Sequence, residues 1–261
     1  RRFLQSAGPF TLEPGAVNTI TTGVVWARAK SGGQTASVKL LKVYDSAAQE
    51  LFDANFNVLN GPDAPDLAIR ELHQELIFTI SNGETSNNIN QNYNEFNPGS
   101  NGNPDSLYAF QGYLVYQLKD ATVSATDLDD PDKARLVYRS DINDGVSGIV
   151  NHYKDPSLGV NGVWFPVEEI SGALSDGVVG SVDQGIQFSF QISDDKFALG
   201  NTRLVNHKSY YFMSIAYGYN EAEVNTDPYA DASIDTSFDG RNRPYLQGRR
   251  NIQPYSAIPH L

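Results

Sequence analysis

The sequence predicts an all-β protein: a β-sandwich with long loops, preceded by a short β-unit and one amphipathic helix. Three ribbons carry this prediction: Phe110-Gln111-Gly112-Tyr113-Leu114-Val115-Tyr116-Gln117, Gly185-Ile186-Gln187-Phe188-Ser189-Phe190-Gln191-Ile192, and the run from Lys208 to Tyr219. Each is rich in aromatic or β-branched residues and fits the two-residue alternation of a strand. In the third, Tyr210, Phe212, Ser214 and Ala216 fall on one face, and Tyr211, Met213, Ile215 and Tyr217 on the other. Composition agrees, because 14 Tyr and 13 Phe against one Met favour strands over helices.

In chain order, residues 1–60 read as the end of a preceding β-unit. Phe10-Thr11-Leu12 leads to the turn Glu13-Pro14-Gly15, Ile20 to Ala29 reads as a strand, and Ser31-Gly32-Gly33 breaks it. A helix is expected from about residue 36 to 54. Val38, Leu40, Leu41, Tyr44, Ala48, Leu51 and Phe52 form its apolar stripe, expected to cover a β-layer. Residues 61–66, Gly61-Pro62-Asp63-Ala64-Pro65-Asp66, read as a stiff linker. Two prolines lacking amide donors exclude a helix or a central strand there. The domain boundary is therefore expected at this point, with the sandwich at 67–261.

Within the sandwich, Leu67-Ala68-Ile69 and Leu76-Ile77-Phe78-Thr79-Ile80 read as the first two strands. Residues 81–105 are an Asn/Gly-rich loop, 108–118 the next strand, and Ala134 to Arg139 a short inserted one. Residues 140–182 read as loop, with a Trp164-Phe165-Pro166 island. Strands at 185–193 and 209–219 follow, then a polar stretch at 220–248 and a last strand between Asn251 and Ile258. Loops this long between short strands commonly carry function or make interfaces.

The balance of 19 basic against 31 acidic residues gives a formal charge of −12. Such a chain repels phosphate backbones, which argues against nucleic-acid binding and against docking on anionic lipid. With no cysteine, disulfides, thiolate nucleophiles, zinc ribbons and iron–sulfur clusters are excluded together. No apolar run approaches the ~18–20 residues of a spanning helix, so membrane insertion is not expected. The ends, Arg1-Arg2-Phe3 and Ile258-Pro259-His260-Leu261, suggest a segment of a longer protein.

The order of strands over residues 66–258 resembles an elaborated fibronectin type III (immunoglobulin-like) sandwich. Tyr113-Leu114-Val115-Tyr116 is similar to the third strand of that fold, and Tyr210-Tyr211-Phe212-Met213-Ser214-Ile215-Ala216 to the sixth. The resemblance implies that a leading tyrosine of the latter bonds to backbone upstream. The usual tryptophan of the second strand is replaced by Phe78 or Ile80. A wider likeness rests on Ser6-Ala7-Gly8-Pro9-Phe10-Thr11-Leu12-Glu13-Pro14-Gly15, the Gln49-Glu50-Leu51-Phe52-Asp53 helix and the proline-bracketed linker. Leu204 to Phe212 and Pro244 to Ile252 add to it. Together these segments resemble large surface proteins of the Bacteroidetes exported by the type IX secretion system. The likeness implies a secreted or cell-surface location without specifying an activity.

Several clusters are candidates for chemistry. Asp127, Asp129, Asp130 and Asp132 lie on one turn, and alternating carboxylates suit Ca²⁺. They lack the Gly and Glu of an EF-hand loop, and a solvated acidic turn is the alternative. Asp227, Asp231, Asp235 and Asp239 form a second acidic series. No organic cofactor is indicated. His73, His152, His207 and His260 show no metalloprotease spacing, and no Gly-x-Ser-x-Gly elbow is present. Glu168-Glu169 and Asp194-Asp195 are adjacent pairs whose members are expected on opposite faces, which argues against a glycosidase dyad. Arg241, Arg243, Arg249 and Arg250 form the one basic concentration, suited to docking an acidic surface. Tyr93, Phe96, Tyr153, Trp164, Phe165 and Tyr229 are loop aromatics suited to an interface or to sugar rings.

The expectation is a non-enzymatic structural or adhesive module of a large secreted protein. It would contact other domains of its parent, or neighbouring copies in an extracellular assembly or filament. The alternative is a carbohydrate-binding module using the loop aromatics.

Overall fold

The computed structural model describes residues 11, 13–15, 17, 21–28, 35–53, 58–98, 105–155, 163–172, 178–223 and 243–261. They fall into two units, Arg1–Phe56 with Pro156–Gly162, and Asn57–Asp155 with Val163–Leu261.

In the first unit, α1 (Ala36–Asp53) forms where the helical periodicity lies. The described residues of this unit hold no strand, and Thr21–Arg28 has no regular secondary structure. The expected β-layer is therefore missing among the described residues. Val38, Leu41, Tyr44, Leu51 and Phe52 of the helical stripe are exposed, as are Val24 and Trp26. Packing expected from amphipathicity would bury this stripe against an apolar surface; these side chains are exposed instead.

The second unit is an all-β sandwich. Its strands are β1 (Asp66–Leu72), β2 (Glu75–Ser81), β3 (Asn94–Phe96), β4 (Leu107–Leu118), β5 (Ala134–Asp141), β6 (Ile149–Asp155), β7 (Val163–Ile170), β8 (Ser189–Ile192), β9 (Tyr210–Tyr219), β10 (Tyr245–Gln247) and β11 (Pro254–Ala257). One sheet has the order β1-β2-β8. The other is built on β4 and β9, with β3 and β5 pairing β4, and β10 and β11 pairing β9. All of these pairings are antiparallel.

The inner core follows from alternation. Leu76, Phe78 and Ile80 point inward from β2, and Phe190 and Ile192 from β8; they meet Tyr210, Phe212 and Ala216 of β9. On β4 the inward positions are Tyr108 and Phe110, then Tyr113 and Val115. The change from even to odd numbers marks a register shift between Phe110 and Gly112, the signature of a bulge that re-aims side chains. Aromatic rings run across this core. Tyr138 of β5 stacks on Phe190 at 3.6 Å, Phe190 on Phe78 at 4.9 Å, and Phe78 meets Phe212 edge-on at 4.8 Å. Such pairs add about 0.5–1.5 kcal/mol each beyond their burial. Phe78 and Ile80 both occupy the core where the tryptophan was expected to be replaced.

The opposite face of the β4–β9 sheet is buried too. Leu114, Leu118, Met213, Ile215 and Tyr217 form a second cluster with Val123, Leu128, Ile149, Ile170 and Val182. Ile149 and Ile170 belong to the β6–β7 hairpin, so the stretch 140–182, expected as loop, instead carries two strands that help to cover the sheet. Pro166 fits there opposite His152, since a proline is tolerated in a strand at an edge.

Residues 61–66 are a correction to the expected linker. Gly61 to Pro65 are buried, and the unit begins ahead of them at Asn57. The amides of Asn60 and Gly61 donate to the Glu95 carboxylate at 3.0 and 3.1 Å. Asp63 and Asn87 exchange backbone-to-side-chain bonds at 2.7 and 3.0 Å. The Ala64 amide donates to the Arg250 carbonyl at 3.0 Å. Prolines that cannot join a sheet still pack beside one when neighbouring polar groups satisfy the remaining backbone.

Candidate functional site

A groove of about 720 Å³ opens on the second unit, lined by Tyr116, Asp129, Asn151, Tyr153, Val167, Glu168, Glu169, Arg243, Tyr245, Leu246, Gln247 and Arg249. Three parts of the fold build it. Tyr116 shares its parity with Leu114 and Leu118, so it projects from the outer face of β4. The β6–β7 hairpin supplies one wall, and β10 with its flanking arginines the other.

Asn151 ties these walls together. It is buried, and its side-chain oxygen accepts from the Tyr245 amide at 3.0 Å while its amide nitrogen donates to the Tyr245 carbonyl at 3.3 Å. The side chain thus mimics a strand partner at the open edge of β10. The same nitrogen reaches Glu169 at 3.3 Å. The Tyr153 hydroxyl donates to Glu169 at 2.8 Å, and the Arg243 guanidinium lies over the Tyr153 ring at 5.1 Å. Burial, reinforced by the charges of Asp129 and Glu169, pushes the Tyr116 phenol up. Burial likewise raises Tyr153 and Tyr245. All three rings therefore keep their hydroxyl protons at neutral pH, and that of Tyr153 is already given to Glu169.

Four residues singled out in the sequence meet here: Asp129, Tyr153, Arg243 and Arg249. Arg250 does not line the groove; its half-exposed guanidinium pairs with buried Asp63 at 3.4 Å. Trp164 and Phe165 lie on β7 opposite Lys154 and Tyr153; their side chains lie outside the described part. Tyr229, Arg241, Asp227, Asp231, Asp235 and Asp239 also fall outside the described residues. Tyr93 is buried and donates to Glu95 at 2.7 Å, whereas Phe96 is exposed.

The calcium turn is dispersed. Asp127 accepts from Lys133 at 2.6 Å and from the Ser124 amide and hydroxyl at 3.0 and 2.7 Å. The Lys133 ammonium and these bonds hold its carboxyl well below the usual range. Asp130 accepts from the Asp132 amide at 3.0 Å, and Asp129 lines the groove. A helical cap and a lysine occupy the Asp127 carboxylate. Among the described residues no group of three or more His, Asp or Glu side chains is placed to hold a metal ion.

Glu168 and Glu169 were expected on opposite faces, yet both line the groove. The β6–β7 register pairs Ile149 with Ile170 and Val150 with Glu168, leaving Glu169 as the extra residue of a bulge. A bulge breaks strict alternation. The other acidic pair is dismembered by the fold: Asp194 accepts from the Thr202 hydroxyl at 2.8 Å. Buried Asp195 accepts from Gln117 and Lys208, each at 2.7 Å.

Asn151, Tyr116, Tyr245 and Gln247 were missed from the sequence. For Tyr116 the signal was present, as an aromatic on the outer face of a strand. For Asn151 there was none, because its partner lies 94 residues away. No protein-family model, no curated protein and no solved structure matches this chain.

Proposed function

We propose that this chain is a non-enzymatic contact module of a protein displayed outside the cell, built on an elaborated fibronectin type III-like sandwich. Its strand order supports the scaffold part of that reading. Counting β1, β2, β4, β5, β8 and β9 as the first six strands, the first, second and fifth share one sheet, and the third, fourth and sixth share the other. Tyr210 adds a corner contact, its hydroxyl accepting from the Val205 amide five residues upstream at 2.8 Å. Export by a type IX system in the Bacteroidetes is supported by the segment likenesses described above.

The groove carries the contact part. It gathers Asp129, Tyr153, Arg243 and Arg249 from separate stretches of sequence onto one surface beside two further tyrosines. Tyrosine and arginine are the side chains most often found at the energetic centres of interfaces. The module therefore works mechanically: two buried cores hold the sheets rigid, and the groove takes hold of a neighbour.

Bead adhesion tests this. Beads coated with the chain should cluster with one another or adhere to a polysaccharide-coated surface, and the double substitution Glu168→Ala, Arg249→Ala should abolish the contact. Glu84→Ala, outside the groove, should leave it intact. Beads that do neither, or that ignore the groove substitutions, refute the reading.

A further inference from the structure

We infer that the groove lined by Tyr116, Tyr153, Tyr245, Asn151, Glu168 and Arg249 is a saccharide site, taking a short run of pyranose rings. This inference rests on the contact-module reading and gives it a ligand. A pyranose has an apolar C–H face and a rim of paired hydroxyls, so a site for it needs flat apolar surface beside two-pronged polar groups. Tyrosine supplies both an apolar ring and a hydroxyl. Carboxylates, carboxamides and guanidiniums present two atoms side by side, as donors or acceptors, at the spacing of neighbouring hydroxyls. The groove offers three tyrosine rings with Asp129, Glu168, Gln247, Arg243 and Arg249 around them.

What the lining lacks narrows the class further. Among the described residues its aliphatic side chains are Val167 and Leu246, which give a peptide little in which to seat apolar anchors. Among the described residues two guanidiniums stand against three carboxylates, a balance without net attraction for a phosphate or another compact anion. A neutral ligand with many hydroxyl groups meets neither objection. The volume of about 720 Å³ lies inside the range of about 300–1,000 Å³ typical of small-ligand sites.

The arrangement is also set before any ligand arrives. Glu169 is held by Tyr153 and Asn151, and Asn151 by both backbone groups of Tyr245. Arg243 rests on the Tyr153 ring. Groups fixed in this way lose little further freedom on binding. The β6–β7 hairpin thus orients the ligand-facing side chains as well as covering the sheet.

Isothermal titration of the whole chain with cellohexaose, chitohexaose, xylohexaose and mannohexaose tests the inference. At least one should bind, with affinity falling about tenfold or more in Glu168→Ala and in Arg249→Ala. Both replace surface side chains, and unchanged melting curves verify the fold. Glu84→Ala should bind as the wild type does. Binding to none of these sugars overturns the inference, as does binding indifferent to the groove substitutions. If beads then still cluster through the groove, the saccharide inference alone falls; if they do not, the contact-module reading falls with it.

Discussion

Asp141→Asn should make the protein more stable with rising pH relative to wild type, and the magnitude can be worked from one buried carboxyl. Asp141 is fully buried at the end of β5. It accepts from the Asp183 amide, and from the Tyr217 hydroxyl at 3.1 Å. Arg139, Asp144 and Asp183 are the charged groups around the pair. Burial outweighs the two hydrogen bonds and raises the carboxyl from 3.8 to about 6. Below pH 4 both folded and unfolded chains hold this proton. Between about 4 and 6 the unfolded chain releases it and the folded chain keeps it, so the contribution of Asp141 to stability falls as pH rises. Above that window the loss is complete. Since each tenfold in proton affinity is worth about 1.4 kcal/mol, the full loss is about 3 kcal/mol. Asparagine has no such titration. Its amide keeps one acceptor for the Asp183 N–H, and the Tyr217 hydroxyl can turn to accept from its NH₂. Urea unfolding of both proteins from pH 4 to 7.5 measures the difference. The gap in favour of Asp141→Asn should widen by about 3 kcal/mol across the window; a gap independent of pH would refute the argument.

Other consequences are as direct. In Gly248→Ala the new Cβ would lie 1.9 Å from the Pro62 carbonyl oxygen and 2.9 Å from that of Ala216. Both are backbone atoms, so chemical denaturation should show a loss above about 4 kcal/mol, or no folded protein. Tyr210→Phe removes the acceptor of the Val205 amide and should lower stability by about 1 kcal/mol without changing the circular-dichroism spectrum. Lys208→Met takes the ammonium from buried Asp195, which keeps Gln117 and the Phe197 amide. With the lysine half-exposed, the expected cost is about 1–2 kcal/mol. Asp195 is depressed in the folded state despite its burial, by Lys208 and Gln117. Its stabilisation is thus present above pH 3.8 and lost as pH falls further, and that acid-side loss should shrink in the variant.

Comparison of particular elements shows which inferences transfer from sequence to fold. Strands β2 and β9 lie within a residue of their expected limits, because strict alternation of large apolar residues has one compact solution in a sheet. The breaks in alternation were invisible. The shift at Gly112 occurs where β9, far away in sequence, sets the register, and the extra residue Glu169 occurs where the preceding strand β6 sets it. Residues 61–66 read as a linker because prolines exclude regular structure, yet Gly61 to Pro65 are buried, with bonds to Asn87, Glu95 and Arg250. The β6–β7 hairpin went unread since Asp, Gly and Ser around it mark turns strongly while its own strands are mixed in polarity.

The amino-acid order by itself determined the all-β class, the central ribbons and the two apolar faces of β9. These depend on local periodicity, which a chain carries without reference to distant residues. Only the tertiary structure decided that both faces are covered, that the acidic turn is taken up by Ser124 and Lys133, and that a groove forms between β6–β7 and β10. Each of these turns on a contact between residues far apart in sequence or on competition for one carboxylate. A one-dimensional pattern holds no record of which partner wins.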